Sequence, residues 1–178
     1  MASDLRLLVV GDIFGGPPPD VCLSKAFPTA QITRHDLATL VGRPDLSGEA
    51  LHRHLFAEGG MAQVLETLSR TLNAPTFALG YSAGGTALWR LARVVPLSGL
   101  ICISSTRLRD ESPLPIPTVT LFGGDDPNRP RDDWCAKVPS HSEILPNAAH
   151  GFYSDSTSEP YKQAQRVVCQ TLTAWHQN

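Results

Sequence analysis

The 178-residue chain has no block of lysine and arginine. Its 15 basic and 17 acidic residues are interspersed and leave a net charge of -2, so the electrostatic footprint of a protein that binds a phosphate backbone is missing. Long apolar runs are missing too. The first, Leu7–Val10, is too short for a signal-peptide core or a membrane span and reads as a buried strand. The expectation is a cytoplasmic protein with no nucleic-acid and no membrane partner. Cysteine is sparse: Cys22, Cys102, Cys135 and Cys169 stand far apart with no C-x-x-C pair, so metal-ligand spacing is absent. Without a secretory signal, a disulfide framework is not expected. Cys102, inside GLICIS, reads as a small core residue, and none of the four thiols is expected to be catalytic. The glycine-rich turn DIFGGPPP lacks both the G-x-G-x-x-G spacing and the P-loop lysine, so nucleotide binding has little support. Internal repeats and low-complexity tracts are also lacking.

What remains is an ordinary globular composition, 42% hydrophobic and 18% charged, in a chain long enough for one domain, residues 1–178, and too short for two comfortable ones. Short apolar runs alternate with longer amphipathic ones. Residues 5–10, 30–37, 75–82, 99–105, 117–124 and 142–148 read as strands. Residues 60–73, 83–95 and 159–178 read as helices, with Met61, Val64, Leu65, Leu68 and Leu72 on one face of the first and Val168, Leu172 and Trp175 inward on the last. Continuous apolar strands alternating with helices predict a mostly parallel sheet covered on both sides, a three-layer α/β/α architecture. In such sheets the ligand site lies beyond the carboxyl ends of the strands.

Beyond those ends stand Asp12 to Gly16, the stretch Gly80-Tyr81-Ser82-Ala83-Gly84, the pair Asp125 and Asp126, and His150 to Tyr153. G-x-S-x-G between an apolar strand and an amphipathic helix has the form of a nucleophile elbow. The helix starting at Ala83 aims its N-terminal N–H groups at the site, and the Ala83 N–H is placed to bind an oxyanion. A serine hydroxyl needs a base, and Ser82, Asp126 and His150 follow the chain order Ser…Asp…His expected on this type of sheet. His150 would relay the proton, with the acid fixing its tautomer. The plainer reading of Ser82 is a small residue tolerated in a tight turn, and of His150 a loop histidine. Of six histidines, only His150 stands in the loop directly after the last strand; His35, His52, His54, His141 and His176 read as surface or partly packed. Asp125 and Asp126 compete for the acid role.

Three stretches carry a resemblance to a known family. LLVVGDIFGG, GYSAGGTALWRLA and AAHGFY, the last followed by Tyr161 and a helix ending in Ala-Trp, resemble the first strand with its oxyanion loop, the elbow helix and the histidine loop of α/β-hydrolases, and more narrowly of their dienelactone-hydrolase-like branch. TVTLFGGDDP resembles the family's G-x-x-D-P acid loop. Counted from Gly123, the resemblance favours Asp126 as the acid. It also implies that the Ile13 N–H is the second oxyanion donor and that Asp12 lies near the nucleophile. The competing reading of Asp12 is a loop residue that accepts backbone N–H groups. The chain departs from the branch in carrying serine where dienelactone hydrolases proper carry cysteine. It also starts at what would be the family's central strand, which implies a six-stranded sheet, and has no insertion long enough for a cap domain.

The leading expectation is a carboxylic ester hydrolase that cleaves a small ester or lactone through Ser82, His150 and Asp126 and an acyl-enzyme, with no metal and no organic cofactor. Phe14, Tyr81, Phe152 and Tyr153 are expected to line the substrate pocket, or else to be packing residues. A thioesterase or transacylase with the same residues is the nearest rival, with Arg43, Arg53, Arg129 and Arg131 as scattered loop cations. A non-catalytic hydrolase-fold binding protein is a rival of another class. The segment Leu37 to Gly60 is expected to be a mobile flap or simple surface. His52 and His54, two apart, share no helix face, so a metal pair there is not expected. Oligomeric state is not legible.

Overall fold

A computed structural model of the chain describes residues 5–177. Residues 1–4 and Asn178, counted above in the domain and, for Asn178, in the last helix, lie outside the described residues. Six strands form one sheet: β1 (Arg6–Val10), β2 (Gln31–His35), β3 (Phe77–Tyr81), β4 (Gly99–Ile103), β5 (Thr118–Gly123) and β6 (His141–Leu145), in the order β2-β1-β3-β4-β5-β6. Every neighbouring pair is parallel. The helices are α1 (Leu37–Leu40), α2 (Gly48–Ala57), α3 (Gly60–Thr71), α4 (Ala83–Leu91), α5 (Asp132–Lys137) and α6 (Glu159–Gln177). The chain leaves β1 towards β2 and returns to β3 on β1's other side. That reversal opens a crevice between the ends of β1 and β3, the usual ligand position in such sheets.

Strand alternation divides the core into two halves. Leu8, Val10, Ala78, Leu100, Cys102 and Phe122 face one side and are packed with residues of α1 to α5. Leu7, Val9, Leu79, Tyr81, Ile101 and Leu121 face the other side, covered by Tyr161, Ala164, Val168 and Leu172 of α6. Both faces are therefore apolar, and β4 is buried along its whole length. This is why the strands read as apolar runs and not as alternating patterns. Trp175 is half-buried and stacks on Phe77 at 5.6 Å between ring centroids.

The register aligns the strand ends. Val10 lies opposite Gly80, Tyr81 opposite Ile103, and Gly123 opposite Leu145. Residues that follow β1, β3, β5 and β6 thus emerge along one edge. Between β4 and β5 stands a short 3-10 turn, Thr106–Asp110, followed by an extended loop; no cap domain stands there.

The segment 37–60 is a correction to the sequence reading. It holds α1 and α2 and is packed. Asp36 caps α1, its carboxylate accepting from the Thr39 N–H at 2.8 Å. Leu51 and Leu55 of α2 are buried, and burying two leucines is worth roughly 2 kcal/mol each, enough to hold a ten-residue helix down. One i, i+4 apolar pair amid polar residues is too faint a period to find such a helix by pattern. The short α5 escaped the pattern for the same reason.

Candidate active site

Ser82 occupies the turn from β3 to α4 with φ 50° and ψ -118°, a conformation sparsely populated by residues with a Cβ. Its N–H donates to the Ile103 carbonyl at 2.7 Å, so β4 holds the strained residue in place. The turn is this tight because two glycines permit it. A Cβ on Gly80 would lie 2.4 Å from the Gly85 Cα, and one on Gly84 would lie 2.3 Å from the Gly11 carbonyl oxygen. With no side chain at either position, α4 drops onto the ends of β1 and β3 and the serine hydroxyl projects beyond the sheet edge.

The Ser82 Oγ lies 3.2 Å from the Nε2 of His150. His150 Nδ1 lies 2.6 Å from the Oδ2 of Asp126. The carboxylate draws the ring proton to Nδ1, leaving Nε2 free to accept from the serine. Asp126 is buried, while the His150 side chain is 42% exposed, so the ring's far edge is open to an incoming molecule. The other Asp126 oxygen accepts from the Asn128 N–H at 2.9 Å. Asp125 is exposed and points to solvent; of the adjacent pair, Asp126 meets the histidine. Ser104, which the sequence reading passed over, donates from its Oγ to the His150 carbonyl at 2.6 Å and so ties the histidine loop to the end of β4.

The loop after β1 is built around Asp12. Its Oδ1 accepts from the N–H groups of Phe14 and Gly16 at 2.8 and 2.9 Å, and its Oδ2 accepts from the Tyr153 hydroxyl at 2.9 Å. Both oxygens are engaged and no hydrogen bond joins Asp12 to Ser82. Of the two readings of Asp12, these hydrogen bonds fit the loop residue that accepts backbone N–H groups: it organises its own loop. The Ile13 carbonyl accepts from the Gly48 N–H at 2.8 Å, which turns that peptide outward towards α2. The N–H groups of Ile13 and Ala83 donate to no acceptor among the described residues.

The Asp12–Tyr153 contact joins the loop carrying Ile13 to the turn that follows His150. Tyr153 is buried, and burial first, then the Asp12 carboxyl, pushes its phenol well above the usual tyrosine range. It is a permanent donor at ordinary pH. Tyr153→Phe removes the donor and strands a buried acceptor, a loss of about 1–3 kcal/mol. The expected result is a melting temperature lower by roughly 2–12 °C for a chain of this size, read by thermal denaturation; an unchanged melting curve would show that the contact holds nothing.

Of the four aromatics, Tyr81, Phe152 and Tyr153 are buried as packing residues, the second of the two readings, and none of the four borders the recess beside Ser82. Tyr81 is fully buried on the α6 side of the sheet, its hydroxyl accepting from the Leu23 N–H at 2.8 Å. Tyr153 packs on it at 5.1 Å and Phe152 packs on Tyr153 in turn. Strand alternation decides for Tyr81: it must face opposite to Gly80, and α4 lies over the Gly80 face. Phe14 is 74% exposed, its ring lying against Gly48 at the start of α2.

The recess beside the serine lies on the other face, between α2, α4 and the turn 106–110. It is small, about 30 Å³, and opens on Ser82 and Ala83; its remaining walls are His52, Phe56, Thr86, Thr106 and Arg107. None of these five was singled out as a site residue from sequence. Four come from segments without a recognisable pattern, and Thr86 only from its place one helical turn after Ser82. Larger clefts elsewhere, such as the one between Arg109 and Trp134, reach neither Ser82 nor His150.

Cys22, Cys102 and Cys135 are buried, Cys169 is half-buried, and all four are free thiols. Burial pushes the Cys102 thiol far above its usual range. Among the described residues no group of three or more His, Cys, Asp or Glu side chains is placed to hold a metal ion, and no helix is long and apolar enough to cross a membrane.

No family model and no curated protein matches the sequence. Solved structures do match the fold. Est1E from Butyrivibrio proteoclasticus superposes with a TM-score of 0.69 at 11% identity, over 100% of this chain and 90% of that one. A lid-less α/β serine hydrolase from Xanthomonas campestris gives 0.61 at 15%, over 98% and 82%. A chain from a study of LipS and LipT, two metagenome-derived lipolytic enzymes, gives 0.61 at 12%, over 97% and 95%. At these identities the likeness establishes an α/β-hydrolase fold, and the chemistry has to be argued from the site.

Proposed function

We propose that this chain is a serine hydrolase that cleaves small carboxylic esters or lactones through an acyl-enzyme on Ser82. The observation that carries the reading is the unbroken line from Ser82 Oγ to His150 Nε2 at 3.2 Å and from His150 Nδ1 to Asp126 Oδ2 at 2.6 Å, at the crevice of a hydrolase fold. Ser82 attacks the substrate carbonyl carbon while His150 takes its proton. Asp126 keeps the imidazole in the right tautomer and stabilises the imidazolium. The negative charge that develops on the carbonyl oxygen is received by the free N–H groups of Ile13 and Ala83, assisted by the positive end of α4. His150 then protonates the departing alcohol, and a water activated by the same histidine releases the acid.

The serine-bearing, dienelactone-hydrolase-like reading rests on the LLVVGDIFGG, GYSAGG and AAHGFY stretches. No metal and no organic cofactor enters the proposed steps. A soluble cytoplasmic enzyme acting on a small molecule is the setting that fits.

Treatment with a fluorophosphonate followed by intact-mass analysis tests the proposal. A single adduct, located by peptide mapping on Ser82, is expected. A folded protein that takes no adduct would instead favour the non-catalytic binding reading.

A further inference from the structure

The recess beside Ser82 has a chemical bias that the proposed ester hydrolysis does not require. Its floor is Thr86, whose Oγ1 is fully buried and has no hydrogen-bond partner. A buried hydroxyl without a partner costs about 1–3 kcal/mol, and this one is in the wall of a cavity that touches the nucleophile. The rim carries Arg107. Its guanidinium lies 4.9 Å from the centre of the Phe56 ring, and its Nη2 lies 3.4 Å from the Nε2 of His52. Arg90 approaches the same ring at 5.8 Å, but its charge is met by Glu111 at 2.8 Å. Arg107 meets no carboxylate among the described residues.

His52 does not offset that charge. Burial first, then the Arg107 cation, lower its pKa from the usual histidine value, against a smaller upward pull from Glu49. The ring is therefore neutral near pH 7, with Nε2 free to accept from Arg107. Phe56 and His52 thus flank the exposed Arg107 guanidinium, and most of its five N–H donors stay free. Asp126 is the carboxylate of the catalytic row, and it is already engaged by His150. The recess therefore combines a cation without a carboxylate partner, an unused buried hydroxyl and the positive end of α4.

From the orphaned Thr86 hydroxyl and the unpaired Arg107 guanidinium beside Ser82, we infer that this recess is the acyl-group site and selects short acyl groups that end in a carboxylate. The inference rests on the serine-hydrolase reading and adds the substrate class to it. A cavity of about 30 Å³ holds the equivalent of one or two waters, so only a short stem fits between the carbonyl carbon and the rim. A carboxylate at the end of that stem reaches Arg107, where planar, paired N–H groups suit it. The Thr86 hydroxyl then donates to an oxygen of that carboxylate.

The test compares two methyl esters of matched length, methyl hydrogen succinate and methyl butyrate, with the full-length protein and the same leaving group. The expected result is a kcat/KM ratio of roughly tenfold or more in favour of the succinate hemiester. Arg107→Gln is expected to bring the ratio towards one, Arg107→Lys to keep part of it, and Thr86→Val to lower it about threefold. Free succinate is expected to slow fluorophosphonate labelling of the wild type but not of Arg107→Gln. Equal rates on the two esters overturn the inference. So does a preference that survives Arg107→Gln, or no turnover of either ester by a protein that the fluorophosphonate labels. Absence of labelling would overturn the serine-hydrolase reading itself, which keeps the two failures apart.

Discussion

Ser82→Ala is expected to remove fluorophosphonate labelling completely and to lower kcat/KM for short esters by a factor on the order of 10⁴ to 10⁶. The size of the effect follows from the chemistry. Without the hydroxyl there is no acyl-enzyme, and only the oxyanion donors and the binding recess remain to assist attack by water. Folding should be spared. Alanine keeps the Cβ, so the backbone at φ 50° is no more strained than before, and the serine side chain makes no hydrogen bond other than the one to His150. A melting temperature within about 2 °C of the wild type is expected. His150→Ala should cost a similar factor, and the double variant little more than either single one, because the two residues act as one unit. A Ser82→Ala protein that keeps more than about a tenth of the wild-type rate would exclude Ser82 as the nucleophile.

Gly84→Ala is expected to damage the fold itself. The added carbon would stand 2.3 Å from the Gly11 carbonyl oxygen and 2.5 Å from that of Val10. Both are backbone atoms at the end of the strand beneath α4, so no side chain can swing aside. Relief requires α4 to lift from β1, which would break the contact that seats the elbow on the sheet. Overpacking of this kind costs about 3 kcal/mol or more, a large fraction of the 5–15 kcal/mol typical of a domain. The expected readout is a fall in melting temperature of roughly 10 °C, or insoluble protein. If some of it folds, the loop at Gly11 and Asp12 will have moved, and activity should fall further than stability. Gly151→Ala is the control: its φ is -88° and an added Cβ would meet nothing within 4 Å, so its melting curve should stay within about 2 °C of the wild type. Equal stability of the two variants would show that the close approach of α4 to β1 is not required.

The α/β architecture was readable because its signals are local. Leu7–Val10 and Leu100–Ile103 are continuous apolar runs, and parallel strands covered on both faces need such runs. Amphipathic helices mark themselves by period, as Met61, Val64 and Leu68 do. The G-x-S-x-G turn and the histidine in the loop directly after the last strand also lie in short stretches, and the aligned strand ends bring them together with Asp126. The side-chain directions at the site were less legible. Tyr81 is adjacent to Ser82 in sequence and stands beneath the other face of the sheet. The family resemblance implied that Asp12 lies near the nucleophile, yet Tyr153, 141 positions away, donates to one of its oxygens.

The sequence by itself determined the parallel sheet, the order of its motifs and the types of side chain at the strand ends, because hydrophobic period and turn chemistry act over a few residues. Only the tertiary structure decided what surrounds the serine. The recess walls come from α2, α4 and the turn after β4, and contacts such as Arg107 with His52, 55 positions apart, depend on how separate elements pack. Packing sums many weak, long-range contacts, and no single stretch of sequence records the result. The same holds for the unused Thr86 hydroxyl and the unpaired Arg107. Each residue is ordinary where it stands in the chain, and what distinguishes it is set in three dimensions: no hydrogen-bond partner for the Thr86 hydroxyl and no carboxylate beside Arg107.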